Sequence, residues 1–225
     1  VTVSGGYGGT IYYRTSKNNS SWGSWTTTKP SLTDVGTIYV QAYVVGDGNH
    51  NNTGATGSVT LRMNPKSVAV TWGTTTTFNY NGGAQGPTAA ATSGVTNETI
   101  NVTRTTGTNA GSYTSTASIS SVTGGRAKAG NYKLTENTKA FIINRATTAT
   151  AAVADKTYNG ESQTGVTGSY VSWANSTTGI DAGSYTAIAT PDENHAWSDG
   201  TTAAKSITWT MSAKEVAVTW GTTTT

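Results

Sequence analysis

Asp34-Val35-Gly36-Thr37-Ile38-Tyr39-Val40-Gln41-Ala42-Tyr43-Val44 is the stretch on which the fold reading turns. Ile38, Val40, Ala42 and Val44 alternate with Tyr39, Gln41 and Tyr43. A period of two marks a strand with one buried and one wet face. The opening of this stretch returns as Asn109-Ala110-Gly111-Ser112-Tyr113-Thr114 and as Asp181-Ala182-Gly183-Ser184-Tyr185-Thr186. The matching inward residues are Tyr113, Ser115, Ala117 and Ile119 in the second copy, and Tyr185, Ala187 and Ala189 in the third. The shared glycine, Gly36, Gly111 or Gly183, is expected to take a backbone shape closed to other residues.

A second echo is longer. Lys66-Ser67-Val68-Ala69-Val70-Thr71-Trp72-Gly73 and Thr74 to Thr77 return as Lys214-Glu215-Val216-Ala217-Val218-Thr219-Trp220-Gly221 and Thr222 to Thr225, differing at one position. Tyr80-Asn81-Gly82 with Gln85 also matches Tyr158-Asn159-Gly160 with Gln163. Asn49-His50 and Asn194-His195 follow the long strand in two copies, and Asn131-Tyr132 fills that place in the middle one. Periods of this size signal tandem modules. They predict a β-module over 1–65 that lacks its first strand, complete modules over 66–146 and 147–213, and the first strand of a following module over 214–225. The connectors are one or two residues, so successive modules are expected to abut. The chain then reads as a window on a longer array.

Composition agrees with strands. The chain has 225 residues, 27 glycines, 7 Trp and 11 Tyr. Only three leucines occur, at Leu32, Leu61 and Leu134, which argues against helix bundles. Thr, Val, Tyr and Trp favour β structure. The closing strand of each module is expected at Ser58 to Met63, Ala140 to Ile143, and Ser206 to Met211; the opening ones include Val68 to Trp72 and Thr150 to Val153. Short strands in units of about 70–80 residues suggest small β-sandwiches, each marginal alone. Their cores rest on Tyr and Trp, and stacked neighbours add stability. The expected fold is therefore all-β, with tandem small sandwich modules end to end; small β-grasp-like modules are the alternative.

Tyr158-Asn159-Gly160, Gln163, Asp181 to Thr186, Pro191, Asn194, Trp197-Ser198-Asp199-Gly200 and Ile207-x-Trp209 together resemble the MBG-type, Ig-like repeats of bacterial surface proteins. So do Asn109 to Tyr113, Asn131-Tyr132-Lys133-Leu134 and Ile142-Ile143-Asn144. The resemblance covers about 66–213. Residues 1–65 are similar to a sister repeat, but have no Tyr-Asn-Gly strand and carry Val35 in place of Ala. The resemblance implies a non-catalytic segment of an extracellular adhesin stalk or surface fibre, and it brings no catalytic residues.

Other classes are weighed against the residues. The net charge is +3 and no basic stripe occurs, which argues against nucleic-acid binding. No apolar run approaches a membrane span. With no cysteine, disulfides and thiolate chemistry are excluded. No nucleophile elbow, His-Glu-x-x-His pattern or phosphate loop is found. His50 and His195 occupy equivalent turns in different modules, an arrangement unsuited to a shared metal site. Asp192, Glu193 and Asp199 fall in one loop and make calcium the one cofactor considered. Lys133 and Lys156 are conceivable isopeptide donors, with no acid placed beside them.

Trp22, Trp25, Tyr7, Tyr12 and Tyr13 crowd the first module. An exposed aromatic row stacks on sugar rings, so Trp22, Trp25 and Tyr12 are the candidate glycan contacts. The alternative is that these rings fill and cap a small core. The expected partners are neighbouring modules of the same or an adjacent chain, and a host or environmental glycan. Strand 214–225 of one chain could also add to another chain's module.

Overall fold

The computed structural model describes residue 3 and residues 8–221; Tyr7 and residues 222–225 of the segment expected to open a following module lie outside them. The fold is all-β, and no α-helix occurs among the described residues. In chain order the strands are β1 Thr10–Ser16, β2 Gly36–Val45, β3 Val59–Met63, β4 Lys66–Ala69, β5 Thr71–Trp72, β6 Thr77–Asn79, β7 Ala89–Ala90, β8 Thr99–Arg104 and β9 Gly111–Thr123. A short 3-10 turn, Ala129–Asn131, leads into β10 Tyr132–Thr135 and β11 Thr138–Asn144. Then follow β12 Thr150–Val153, β13 Lys156–Thr157, β14 Gln163–Thr164, β15 Val166–Ser169, β16 Val171–Asn175, β17 Thr178–Gly179, β18 Gly183–Pro191 and β19 Lys205–Ser212. The chain forms two compact units. One holds residues 1–72, 89–104 and 116–137; the other holds 73–88, 105–115 and 138–225.

In the first unit β1, β2 and β3 form an antiparallel sheet in that order. The period of two in β2 buries Val40 and Ala42, which close a small core with Tyr13, while Ile38 and Leu61 pack at its rim. Tyr13 and Thr26 also exchange backbone bonds of 2.7 and 2.8 Å, which pins the segment after β1 to its edge. Elsewhere in this unit β4 lies parallel to β10, with Val68 opposite Leu134. Thr71 and Trp72 pair antiparallel with Ala90 and Ala89. The Val70 N–H donates to the Thr135 carbonyl at 3.0 Å, and the Trp72 indole N–H to the Glu136 carbonyl at 2.8 Å. Val68, Ile100 and Tyr132 form the core there. A bulge at Asn101/Val102 interrupts the β8–β9 ladder.

In the second unit β13, β19, β18 and β16 form a four-stranded sheet in that order, and β12 pairs with β15. Trp209 on β19 is fully buried with Val166, Ala187 and Met211. Its ring stacks on Tyr185 at 4.5 Å, and its indole N–H donates to the Ser176 carbonyl at 2.8 Å. A buried indole needs such a partner. Trp197 meets the same need at the Ala203 carbonyl, 2.7 Å away, beside Ala149 and Ala189. Tyr113 and Phe141 repeat the stacked pair at 5.2 Å, with Phe141 on β11 beside the parallel partner β6.

Two expectations are corrected. Residues 214–221 form no strand. Val216 and Val218 are 85% and 78% exposed, although their twins Val68 and Val70 are buried at 8% and 4%. The difference is one of partners: β4 and β5 have β10, β7 and the Glu136 carbonyl, and the later copy has no counterpart to them among the described residues. Gly36 and Gly183 also have ordinary backbone angles. A Cβ at either would meet nothing closer than 4.0 Å, so neither position demands glycine.

Candidate functional site

One polar contact is built twice, once in each unit. In the first unit the turn before β2 presents Asp34 and the Val35 N–H. The Asn131 side chain fits it, its Oδ1 accepting from the Val35 N–H at 2.9 Å and its Nδ2 donating to Asp34 Oδ1 at 3.0 Å. Lys128 pairs with the other Asp34 oxygen. The Asn131 amide, followed by the Lys128 ammonium, holds the Asp34 carboxyl below its usual range. In the second unit the turn before β9 presents Asn109 and the Ala110 N–H. Here Asn194 takes the same role, Oδ1 accepting from Ala110 N–H at 2.8 Å and Nδ2 donating to Asn109 Oδ1 at 3.4 Å. An asparagine amide carries a donor and an acceptor side by side, as a backbone peptide does, so it pairs with a turn as a strand would.

Sequence and geometry explain why asparagine stands ready in the second case. Asp192-Glu193-Asn194-His195 folds as a tight turn. The Asn194 N–H donates to Asp192 Oδ1 at 2.9 Å, and His195 Nδ1 lies 2.6 Å from the same oxygen. Burial works against the Asp192 charge, but these bonds from His195 and Asn194 win, and its carboxyl sits below the usual range. The His195 ring is buried, stacked on Tyr170 at 3.9 Å and met edge-on by Tyr80 at 5.3 Å. Tyr170 holds a positive φ of 59°, a conformation costing roughly 1–3 kcal/mol in a bulky residue. Backbone bonds between Ala146 and Asn194 at 3.0 Å and between Ala196 and Ala146 at 2.8 Å close the cluster. His195 thus serves packing and turn geometry.

The candidate glycan residues lie together on the sheet of the first unit. Tyr12 is opposite Tyr43 in register and stacks on it at 5.2 Å; Trp25 meets Tyr43 edge-on at 4.6 Å. The Arg14 guanidinium lies over both Trp25, at 4.5 Å, and Trp22, at 5.1 Å. Gln41 Oε1 fixes it through two bonds of 2.9 and 2.6 Å. Tyr12, Trp22, Trp25 and Tyr43 are all half-buried. Tyr13 points to the other face, into the core.

The three acids considered for calcium each serve a separate bond. Asp192 is in the histidine turn, Glu193 faces the Asn109 amide at 3.4 Å, and Asp199 accepts from Thr201 and Lys205. The Thr201 hydroxyl and N–H draw the Asp199 carboxyl down to about 2. No cluster of three or more His, Asp or Glu side chains able to hold a metal ion is found among the described residues.

The roles of Asn131, Asn194, Asp34, Asn109 and Arg14 were not visible as sites in sequence. For the four turn and asparagine residues the signal is the recurrence of Asp or Asn before the long strand and of Asn after it, which by itself marks only the repeat; Arg14 carries no such signal. No family model matches the chain, and no curated protein or solved structure matches it either.

Proposed function

We propose that this chain is a non-catalytic structural segment of a bacterial extracellular adhesin stalk or surface fibre. It is built of tandem small Ig-like modules over 66–146 and 147–213, with a related one over 1–65, whose resemblance to MBG-type repeats points the same way. One observation carries the reading: the same asparagine-to-turn contact recurs between residues of successive sequence copies, Asn131 with Asp34 and Asn194 with Asn109. A contact repeated at the period of the sequence is what load-transmitting arrays require, since each repeat gains its stability from its neighbour.

Single-molecule pulling tests the reading. Modules that unfold one at a time release about 230–280 Å of chain per event, at roughly 3.5 Å per residue. A single rupture releasing the whole chain would refute a modular array. Labelling unpermeabilised source cells with antibodies to the chain tests its location; signal only after permeabilisation would remove the surface role.

A second reading has an observation of its own. The half-buried rings of Tyr12, Trp22, Trp25 and Tyr43 lie on one face of a sheet, an arrangement suited to sugar stacking. Binding in a glycan panel, lost in Trp22→Ala, supports it; no binding to any member removes it.

A further inference from the structure

We propose that the Asp181–Ala182 turn is a docking seat for the Asn49 loop of a second copy of this chain. The inference deepens the structural reading above and rests on its recurring contact. The seat is the third member of a series whose first two are filled. Asp34-Val35 takes Asn131, and Asn109-Ala110 takes Asn194. Asp181-Ala182 has the same place before its long strand, and its shape matches too. The Tyr185 hydroxyl donates to the Asp181 carbonyl at 2.8 Å, and the Tyr113 hydroxyl donates to the Asn109 carbonyl at 2.8 Å. Val35 and Ala110 are half-buried under their asparagines, whereas Asp181 and Ala182 are exposed. Neither the Asp181 carboxylate nor the Ala182 N–H bonds to any described residue.

The chain also carries a loop of the matching kind. Asp47-Gly48-Asn49-His50 has the internal bonds of Asp192-Glu193-Asn194-His195. The Asn49 N–H donates to Asp47 Oδ1 at 2.9 Å, as Asn194 does to Asp192 at 2.9 Å. His50 Nδ1 lies 2.6 Å from Asp47 Oδ1, and His195 Nδ1 lies 2.6 Å from Asp192 Oδ1. The His50 and His195 N–H groups donate back to the Asp47 and Asp192 carbonyls at 3.1 and 3.3 Å. In the second loop this turn delivers the asparagine amide to a partner. In the first, Asn49 is exposed and its amide bonds to no described residue.

Loop and seat therefore fit by the rule the chain already follows twice. Asn49 Oδ1 accepts from the Ala182 N–H, and Nδ2 donates to the Asp181 carboxylate. The arrangement is head to tail, so the association is open-ended. The place of Lys128, three residues before Asn131, is held by Gly46 in the Asn49 loop. The seat carboxylate then receives no ammonium, and this contact is weaker than the one at Asp34.

Sedimentation of the full chain and of two variants provides the test. The parent chain is expected to form a concentration-dependent series of oligomers below about 1 mM, the weak end of specific affinity. Asn49→Ala lacks the loop amide and Asp181→Lys lacks the seat, so each alone stays monomeric. Mixed one to one, they form a heterodimer and nothing larger, because only one productive contact remains. Both positions are exposed, and unchanged thermal melts confirm that the variants fold. A parent chain that is monomeric throughout, variants that associate as the parent does, or a mixture that stays monomeric would each overturn the proposal. Stepwise unfolding in single-molecule pulling would still leave the modular reading standing.

Discussion

Gly165→Ala is a change of one methyl group that the structure does not accommodate. A Cβ at Gly165 falls 1.9 Å from Cδ2 and 2.0 Å from Cε3 of Trp209. Ordinary contact begins near 3.4 Å, so the ring or the strand must retreat by about 1.5 Å. Neither has slack. Trp209 is fully buried, stacked on Tyr185, and tied by its indole N–H to Ser176. On its far edge a Cβ at Gly179 would sit 2.9 Å from Cη2, so that side is closed as well. The Gly165 backbone is held by bonds of 3.0 Å to Thr177 and 2.8 Å from Ala154. Its φ is not in the left-handed region, so the penalty is steric. Overpacking costs roughly 1–3 kcal/mol, and a displaced indole bond adds about 1. About 3 kcal/mol lowers Tm by roughly 12 °C in a cooperative unit of about 115 residues, the size of the compact unit that holds Gly165. Thermal melts followed by near-UV circular dichroism measure it. Gly57→Ala, where a Cβ meets no atom, is the control. The second copy points to the rescue. Pro87 occupies the sequence position of Gly165, and Phe141 takes the stacking role of Trp209. Gly165→Ala with Trp209→Phe should therefore recover part of the loss. A Gly165→Ala chain melting within about 1 °C of its parent would refute the account of this core.

Asn194→Ala strands the Ala110 N–H and should cost about 1–2 kcal/mol, with faster amide exchange at Ala110 as the local readout. Asp34 and Asp199 have depressed carboxyl pKa values, so each stabilises the fold fully above the unfolded value near 3.9. That stability is lost as pH falls through the folded values, which for Asp199 means from about 4 toward 2. Asp34→Asn and Asp199→Asn should flatten the fall in Tm across acid melts, and an unchanged slope would contradict the assignment. Arg14→Ala removes two cation–π contacts and the bonds to Gln41; a loss of about 1–2 kcal/mol and a shift in tryptophan emission are expected.

Much of the sheet was legible in residues 34–44 and their echoes, because a period of two with one buried face leaves no other register. Val40, Ala42, Ser115, Ala117, Ala187 and Ala189 all face inward as that period requires. What escaped sequence reading depends on partners distant in the chain. β4 pairs with β10, which no local pattern announces, and the same residues at 214–221 remain unpaired. The polar contacts escaped for a related reason. Asn131 and Asn194 look like ordinary turn residues until the turn each one faces is known. Arg14 likewise reads as a surface charge until Trp22, Trp25 and Gln41 surround it.

The near-identity of Lys66–Gly73 and Lys214–Gly221 sets a problem of choice during folding. Only one seat for such a strand is found among the described residues, at Tyr132–Thr135. Sixty-two residues separate Ala69 from Tyr132, and 78 separate Thr135 from Lys214. Closure entropy grows only with the logarithm of loop length, so the two routes differ by about 0.2 kcal/mol. Side chains scarcely distinguish them either, since Ser67 and Glu215 are the one difference. A chain diluted from denaturant thus meets two near-equal candidates for one place. A chain emerging from the ribosome does not, because Lys66–Gly73 and its seat both exist before Lys214 is made. Order of synthesis can supply a discrimination that the residues themselves lack.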